Sequence, residues 1–329
     1  MRPGLAAGLL AAALLATGGC ADDGGGDLRT GPVDPGPRPT LSPSASPALP
    51  PAPLAGLGSP DSVVTRRAVA VPVRVGTGSP APAGLATADL IYQEYAESGS
   101  LHLLAVYQSR EAARIGPVTE IRPADVKTLA IFNAFVGYGG APESFLTQLE
   151  NSKLPAVSPA QRADLFPGGY TSTGALYRAV PAGGTPPPAF VYAAQGEPVA
   201  DAGAKVAQRL TVTAPGRPAQ VWTYDEPTRT WRSQLGGVTV AVASVVVLTM
   251  PYKTVSIRRP VARDLPSAQV LGEGPALAVS GSSAATGSWR KGGLRQMCNV
   301  VDGSGFPVRL QPGTTWVVYA PTGSTVVVA

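Results

Sequence analysis

Between residues 63 and 190, short apolar runs alternate with segments of helical spacing. The run 68–75 (AVAVPVRV) predicts a strand. Pro72 marks an edge or a bulge there, because proline has no N–H to give to a ladder. Runs 89–95 and 101–107 predict two more strands, and Ser98-Gly99-Ser100 predicts the hairpin turn between them. Over 123–132 a proline stands in the first turn, and Val126, Leu129 and Ala130 share a face, which predicts a helix. A short buried strand at 135–138 and a helix over 143–149 follow, joined by Gly139-Gly140-Ala141-Pro142.

Past the break at 181–188 (PAGGTPPP) the pattern changes. One more helix is expected over 201–209. From Leu210 the apolar positions alternate or are β-branched. Segment 219–224 is set to pair with 228–232 across Asp225-Glu226-Pro227, and 238–248 is a strand or two. Runs at 253–257, 276–280, 285–290, 297–301 and 315–319 follow, separated by glycine-rich turns. Strands at intervals of roughly 8–12 residues predict a small sandwich or barrel-like half. The fold class is therefore α+β: a mixed α/β N-terminal domain over 63–190, then a mostly β C-terminal domain over 191–329.

The first 62 residues follow neither pattern. Arg2 is the only charge before an Ala/Leu/Gly run over 5–15, which has the length of a secretory signal core and is too short to span a bilayer. The run ends Leu15-Ala16-Thr17-Gly18-Gly19-Cys20. Small residues before a cysteine resemble a bacterial lipobox, in which the thiol accepts a diacylglyceryl group before cleavage. Thr17 stands where leucine is commoner. The expectation is a signal peptide over 1–19 and a lipidated Cys20. Residues 20–62 then read as a tether rich in Pro, Gly and Ser, with too little apolar surface to offset its ordering entropy. Lipid anchor and spacer together predict a partner in the membrane and work at its outer face.

Composition narrows the chemistry. Charged residues are 14% of the chain and the net charge is +5, without a dense basic block, so no nucleic-acid partner is expected. The excess of Arg, Ala, Gly and Pro is the mark of a high-GC genome. One His and two Cys cannot fill a zinc site of the usual kind, and no phosphate-binding or dinucleotide-binding glycine loop is present. No metal, cofactor or catalytic residue is assigned. Cys298, beside Met297 and near Val300, is expected to be a small buried hydrophobe.

Several short motifs stand in a recognisable order. They are Gly84-Leu85, Ala88-Asp89-Leu90-Ile91-Tyr92, Glu97-Ser98-Gly99, Leu104-Ala105-Val106-Tyr107, Ile115-Gly116-Pro117-Val118 and Arg122-Pro123. Further on come Trp231-Arg232, Gly287-Ser288-Trp289-Arg290-Lys291, Asp302-Gly303 and Leu310-Gln311-Pro312-Gly313. Together they resemble the YerB-like lipoproteins of Gram-positive bacteria, over about 63–322. The resemblance implies a two-domain extracytoplasmic lipoprotein and no established reaction. His102 stands where the family usually has Arg, and Thr119-Glu120-Ile121-Arg122 replaces its Arg-Ser-Ala-Arg, whereas Glu97, Arg122, Gly139 and Gly140 persist.

With His102 and Tyr177, those four form the candidate ligand-binding set. Glu97 and Arg122 make either a charge-paired recognition site or a structural ion pair. Gly139 and Gly140 either admit a ligand to backbone amides or serve a turn. Trp222, Trp231, Trp289 and Trp316 belong either to a saccharide-binding face or, as strand residues, to the core. Two functions remain open. One is an envelope component that binds a ligand, a cell-wall polymer or an envelope protein, acting in cell-wall assembly. The other is a wall-active hydrolase or transferase built on carboxylates such as Glu94, Glu97, Glu120, Asp125 and Glu143.

Overall fold

The structure, a computed structural model, describes residues 49–329 apart from 182, 195, 196, 198, 200–204 and 259–261. The expected signal peptide, the lipidated Cys20 and the tether as far as residue 48 lie outside the described residues.

The chain enters through the short helix α1 (Asp61–Val64). Strands β1 (Val69–Val75), β2 (Leu90–Tyr95) and β3 (Leu101–Tyr107) follow, with β2 and β3 joined as the expected hairpin. Next come helix α2 (Pro123–Leu129), β4 (Phe135–Gly137), α3 (Glu143–Ser152), β5 (Ala156–Val157) and α4 (Thr173–Ala179). The remainder is strand. The two-residue pairings β6 (Val191–Tyr192) and β7 (Lys205–Val206) precede β8 (Arg209–Thr213), β9 (Gln220–Asp225), β10 (Thr230–Leu235) and β11 (Val238–Val242). Then come β12 (Ser244–Met250), β13 (Tyr252–Ile257), β14 (Arg263–Ala268), β15 (Gly272–Ser280) and β16 (Ser283–Lys291). Last are β17 (Asn299–Asp302), β18 (Arg309–Leu310), β19 (Thr315–Pro321) and β20 (Thr325–Val328).

These strands do not form one sheet per half. An eleven-stranded sheet runs β17-β16-β15-β12-β19-β2-β3-β1-β4-β5, with β7 added beside β16. The halves meet in it where β19 pairs in parallel with β2, Thr315 opposite Leu90 through Tyr319 opposite Glu94. A five-stranded sheet, β11-β10-β9-β8-β20, lies on one face, and β13-β14 form a separate ribbon.

Alternation along the central strands feeds two cores. Val69, Val71, Ile91 and Leu103 pack toward the five-stranded sheet, against Leu210, Trp222 and Trp231. Ala70, Leu90, Leu104 and Val106 face the other way, against Val126 and Leu129 of α2 and Leu149 of α3. The molecule is thus layered sheet, sheet, helix. A sheet covered on both faces explains why β12 reads as a nearly unbroken apolar run, Val245 to Leu248.

Four expectations change. The tether does not extend to residue 62: Leu54 and Ala55 are fully buried, Tyr192 Oη donates to Leu54 O at 2.6 Å, and Leu54 joins the helix-side core. Pro72 is not on an edge strand, since β1 lies between β3 and β4. It is tolerated because β4 pairs only with Val69 and Ala70, and at Pro72 the neighbour is Thr119, whose N–H donates to Pro72 O. The helix expected over 201–209 is not helical where it is described: Lys205 and Val206 pair with Ala284 and Ser283, and Arg209 opens β8. Tertiary pairing overrides the local preference of that alanine-rich stretch. The C-terminal half is not a self-contained sandwich, because β12, β15–β17 and β19 extend the N-terminal sheet.

Leu54→Ala is expected to cost about 2–4 kcal/mol by urea unfolding, as for other fully buried leucines. A loss under about 0.5 kcal/mol would show that the entry segment contributes nothing to the core.

Candidate functional site

The hairpin register assembles the site. β2 and β3 pair Tyr95 with Leu101 and Glu94 with His102, symmetrically about Ser98. Ser98 sits at φ 53°, in the left-handed region, and Gly99 at φ 77° completes the turn. One strand further, Arg74 of β1 pairs with His102. Directly paired residues point to the same face. Glu94, His102 and Arg74 therefore form a row across the sheet on its helix side, where the alternation continues Leu90 and Tyr92.

The N-terminus of α2 meets this row. Arg122 is the residue before the helix, with Pro123 in its first turn. Asp125 accepts a hydrogen bond from Arg122 N at 2.8 Å, and the same oxygen, Oδ2, lies 2.8 Å from Nε2 of His102. Arg122 Nη2 donates to Glu97 Oε2 at 2.7 Å and lies 3.5 Å from Glu120 Oε1. Arg74 approaches Glu97 at 3.5 Å, and Arg263 of β14 pairs with Glu120. The ribbon closes the cluster from above, with Ala268 N donating to Glu94 Oε1 at 2.6 Å.

Burial sorts these groups. Glu94, His102, Asp125 and Arg122 are 2%, 2%, 3% and 4% exposed, while Arg74 and Arg263 reach the surface. Burial pushes the Glu94 carboxyl up to about 7, against the opposing pull of His102 and Arg122. Burial also raises Glu97, but the hydrogen bond and charge of Arg122, helped by Arg74, outweigh it and hold Glu97 below the usual carboxylate range. Arg122 loses solvation, yet Glu94, Glu97 and Glu120 around it keep it firmly charged. Among the described residues, Arg122 Nε and Nη1 and Glu94 Oε2 find no hydrogen-bond partner. The arrangement thus offers two unspent guanidinium donors and one unspent carboxyl oxygen inside, with two arginines at the rim.

Of the six candidate residues, five come together. Glu97, Arg122 and His102 are in the cluster itself. Gly139 N donates to Thr119 O at 2.7 Å, and Gly140 O accepts from Ile121 N at 3.1 Å, so both brace the segment that delivers Glu120 and Arg122. A side chain on Gly139 would meet Val118 O at 2.9 Å, and Gly140 sits at φ 142°. The Gly139 amide is therefore spent on the protein. Tyr177 stands apart: its hydroxyl donates to Tyr107 O at the far end of β3, and its ring lies under Arg66. The four tryptophans are fully buried, which overturns the saccharide-face reading. Cys298 is half-buried, and burial pushes its thiol up to about 11. Glu94, Asp125, Glu120, Arg74 and Arg263 were not in the candidate set. Pairing the hairpin about Ser98 would have placed Glu94 beside His102, but nothing local points to Arg263.

Comparison with known proteins agrees with this architecture. The chain matches the N-terminal domain of a family described as "Protein of unknown function (DUF3048)" over residues 54–186, and its C-terminal domain over 210–317. The N-terminal match begins at the buried Leu54. The crystal structure of the YerB protein from Bacillus subtilis is similar in fold, with a TM-score of 0.69 at 18% identity, covering 84% of this chain and 99% of that one. No curated protein matches.

Glu94 gives the cluster a pH signature. Its folded carboxyl holds a proton up to about 7, against an ordinary 4.5, so the folded state binds more protons between those values. Stability should fall as pH rises through that window, by on the order of 3 kcal/mol, and level off above it. Glu97 acts with the opposite sign, its contribution being lost only as pH falls below the usual carboxylate range. Glu94→Gln is expected to flatten the slope and to exceed the wild type in stability at about pH 8. Urea unfolding across this range reads the slope, and an unchanged slope would assign it to another group.

Proposed function

From the premise that the chain belongs to this two-domain DUF3048 family, we propose that it is a lipoprotein of the outer membrane face. Its globular part would hold a ligand, a wall polymer or an envelope protein at the charged end of the β2–β3 hairpin, in the service of cell-wall assembly. The observation that carries the location is the run Leu15-Ala16-Thr17-Gly18-Gly19-Cys20 after a short apolar core. The proline-rich segment that follows would lift the domain from the bilayer at up to about 3.1 Å per residue. The observation that supports binding is Arg122: a buried guanidinium with two unspent donors, beside rim arginines suited to carboxylate or phosphate groups.

A hydrolytic reading has one observation in its favour, the Glu94 carboxyl poised near 7 beside the His102–Asp125 pair. Against it, both carboxyls are almost fully buried, and Asp125 is already committed to His102 and to the Arg122 backbone.

In a producing cell, labelled palmitate is expected to enter the wild type but not Cys20→Ser, which should leave the membrane fraction. Retention of Cys20→Ser on the membrane would sink the anchor. For binding, the chain carrying Cys20→Ser would be melted against muropeptides and wall-polymer fragments. A true ligand at about 100 times its Kd stabilises by about 2.7 kcal/mol, and Glu97→Gln should abolish that shift. Absence of any shift would count against small-ligand binding, and release of wall fragments by wild type but not by Glu94→Gln would favour hydrolysis.

A further inference from the structure

A second site, separate from the charged cluster, lies at the tip of the β2–β3 hairpin. Tyr95 ends β2, with its ring in the core shared with the five-stranded sheet. The loop between β8 and β9 comes in beside it, the ribbon contributes Tyr252 and Pro266, and Pro321 closes β19. Between these elements and the hairpin tip lies an open cleft of about 420 Å³, within the range of small-molecule sites. Its walls are chiefly apolar. The Tyr95 hydroxyl is buried, so the ring alone borders the space. The Tyr252 hydroxyl is already committed, accepting from Tyr95 N at 3.2 Å and donating to Tyr319 O at 2.7 Å. Pro215, Pro266 and Pro321 add saturated ring faces.

Arg217, in the β8–β9 loop, breaks that pattern. No carboxylate lines the cleft, and none pairs with Arg217 among the described residues. The guanidinium is held in place: Nη2 donates to Ala96 O and, at 3.2 Å, to Ser100 O, and the group stands 5.7 Å from the centre of the Tyr95 ring. Those bonds occupy one nitrogen of three. Nε and Nη1 carry the rest of the five N–H donors of a guanidinium, and no protein acceptor meets them among the described residues. A guanidinium already fixed by backbone carbonyls loses little freedom when an anion arrives. The exposed Ser98 and Gly99 form the rim on the hairpin side, and Gly216 forms it on the loop side.

We propose that this cleft binds the free carboxyl terminus of a short peptide with small or apolar side chains. The carboxylate sits on Arg217, the side chains lie on the tyrosine and proline rings, and the peptide groups meet the polar rim at Ser98 and Gly99. A single cation suits a carboxylate monoanion, whereas a phosphate dianion calls for more positive charge. An open cleft walled by rings suits an extended peptide, the form in which aromatic-lined grooves receive their ligands.

The test uses the full chain carrying Cys20→Ser, isotope-labelled and followed by amide NMR. The probes are N-acetyl-alanyl-leucine and the same peptide with its carboxyl terminus amidated. The acid should shift the Ser98, Gly99, Gly216 and Arg217 amides and saturate at roughly millimolar concentration. The amide should bind at least about fivefold more weakly, as expected when a charge-assisted hydrogen bond is lost. Raising the salt from about 0.05 to 0.5 M should weaken the acid and leave the amide unchanged. Arg217→Gln should bring the acid down to the level of the amide. Glu97→Gln, which removes a group of the charged cluster, should leave this titration unchanged. Equal binding of acid and amide, shifts confined to other residues, loss of binding in Glu97→Gln, or no saturation by the acid would each overturn the proposal. The comparison of acid with amide on the Arg217 protein decides the matter even if Arg217→Gln loosens the hairpin.

Discussion

The parallel ladder between β2 and β19 is the constraint on which the rest of the structure depends. It joins strands more than two hundred residues apart, Leu90 to Thr315 and Glu94 to Tyr319. Closing so long a loop is entropically costly, and a parallel pair returns little by itself. Side chains on both faces hold it. Below, Trp316 packs edge-on against Trp222 at 5.2 Å, and its indole donates to Gln93, which donates in turn to Gln220 of the second sheet. Above, the Tyr92 and Tyr319 rings lie 5.8 Å apart, and the Tyr319 hydroxyl reaches α2 through Thr128. The seam is thereby tied into all three layers.

The charged cluster exists because that seam leaves the β2–β3 hairpin with a covered face. Glu94 and His102 are fixed opposite one another by hairpin register, and the α2 N-terminus brings Asp125 and Arg122 down onto them. The ribbon β13–β14, which the C-terminal half sends across, removes the remaining solvent by placing Ala268 N on Glu94 and Arg263 on Glu120. Three carboxylates, Glu94, Glu97 and Glu120, surround one buried arginine, so removing Arg122 would strand buried negative charge, whereas removing a rim arginine would only thin a surface pair. The same packing on the helix side, a few residues along β2 from Glu94, encloses a small apolar cavity around Tyr92.

Much of this was visible in the chain, for local reasons. The hairpin around Ser98-Gly99, the helix opened by Pro123, and the pairing of 219–224 with 228–232 follow from turn chemistry and period alone, and each is present. Glu97 with Arg122 was legible as a pair of opposite charges, and Gly139-Gly140 as a turn. Less legible was anything that depends on which strand lies beside which. Pro72 looks like an edge residue because the sequence does not say that β4 stops two residues short of it. Residues 49–62 look like more tether because their few apolar members, Leu54 above all, are scattered among prolines and glycines. Tyr177 is polar and near the right motifs, yet its helix carries it to the opposite end of β3.

By itself, the sequence determined the class of most elements and the α+β order of the chain, since period and turn residues act over a few positions. The tertiary structure alone decided that the halves share a sheet, that Arg263 and Ala268 complete a site begun by Glu97 and Arg122, and that Lys291 is buried with its ammonium on the carbonyls of Leu294 and Gln296. These are matters of long-range partnership. A strand's pattern specifies which face it buries, but not which neighbour its hydrogen bonds will find.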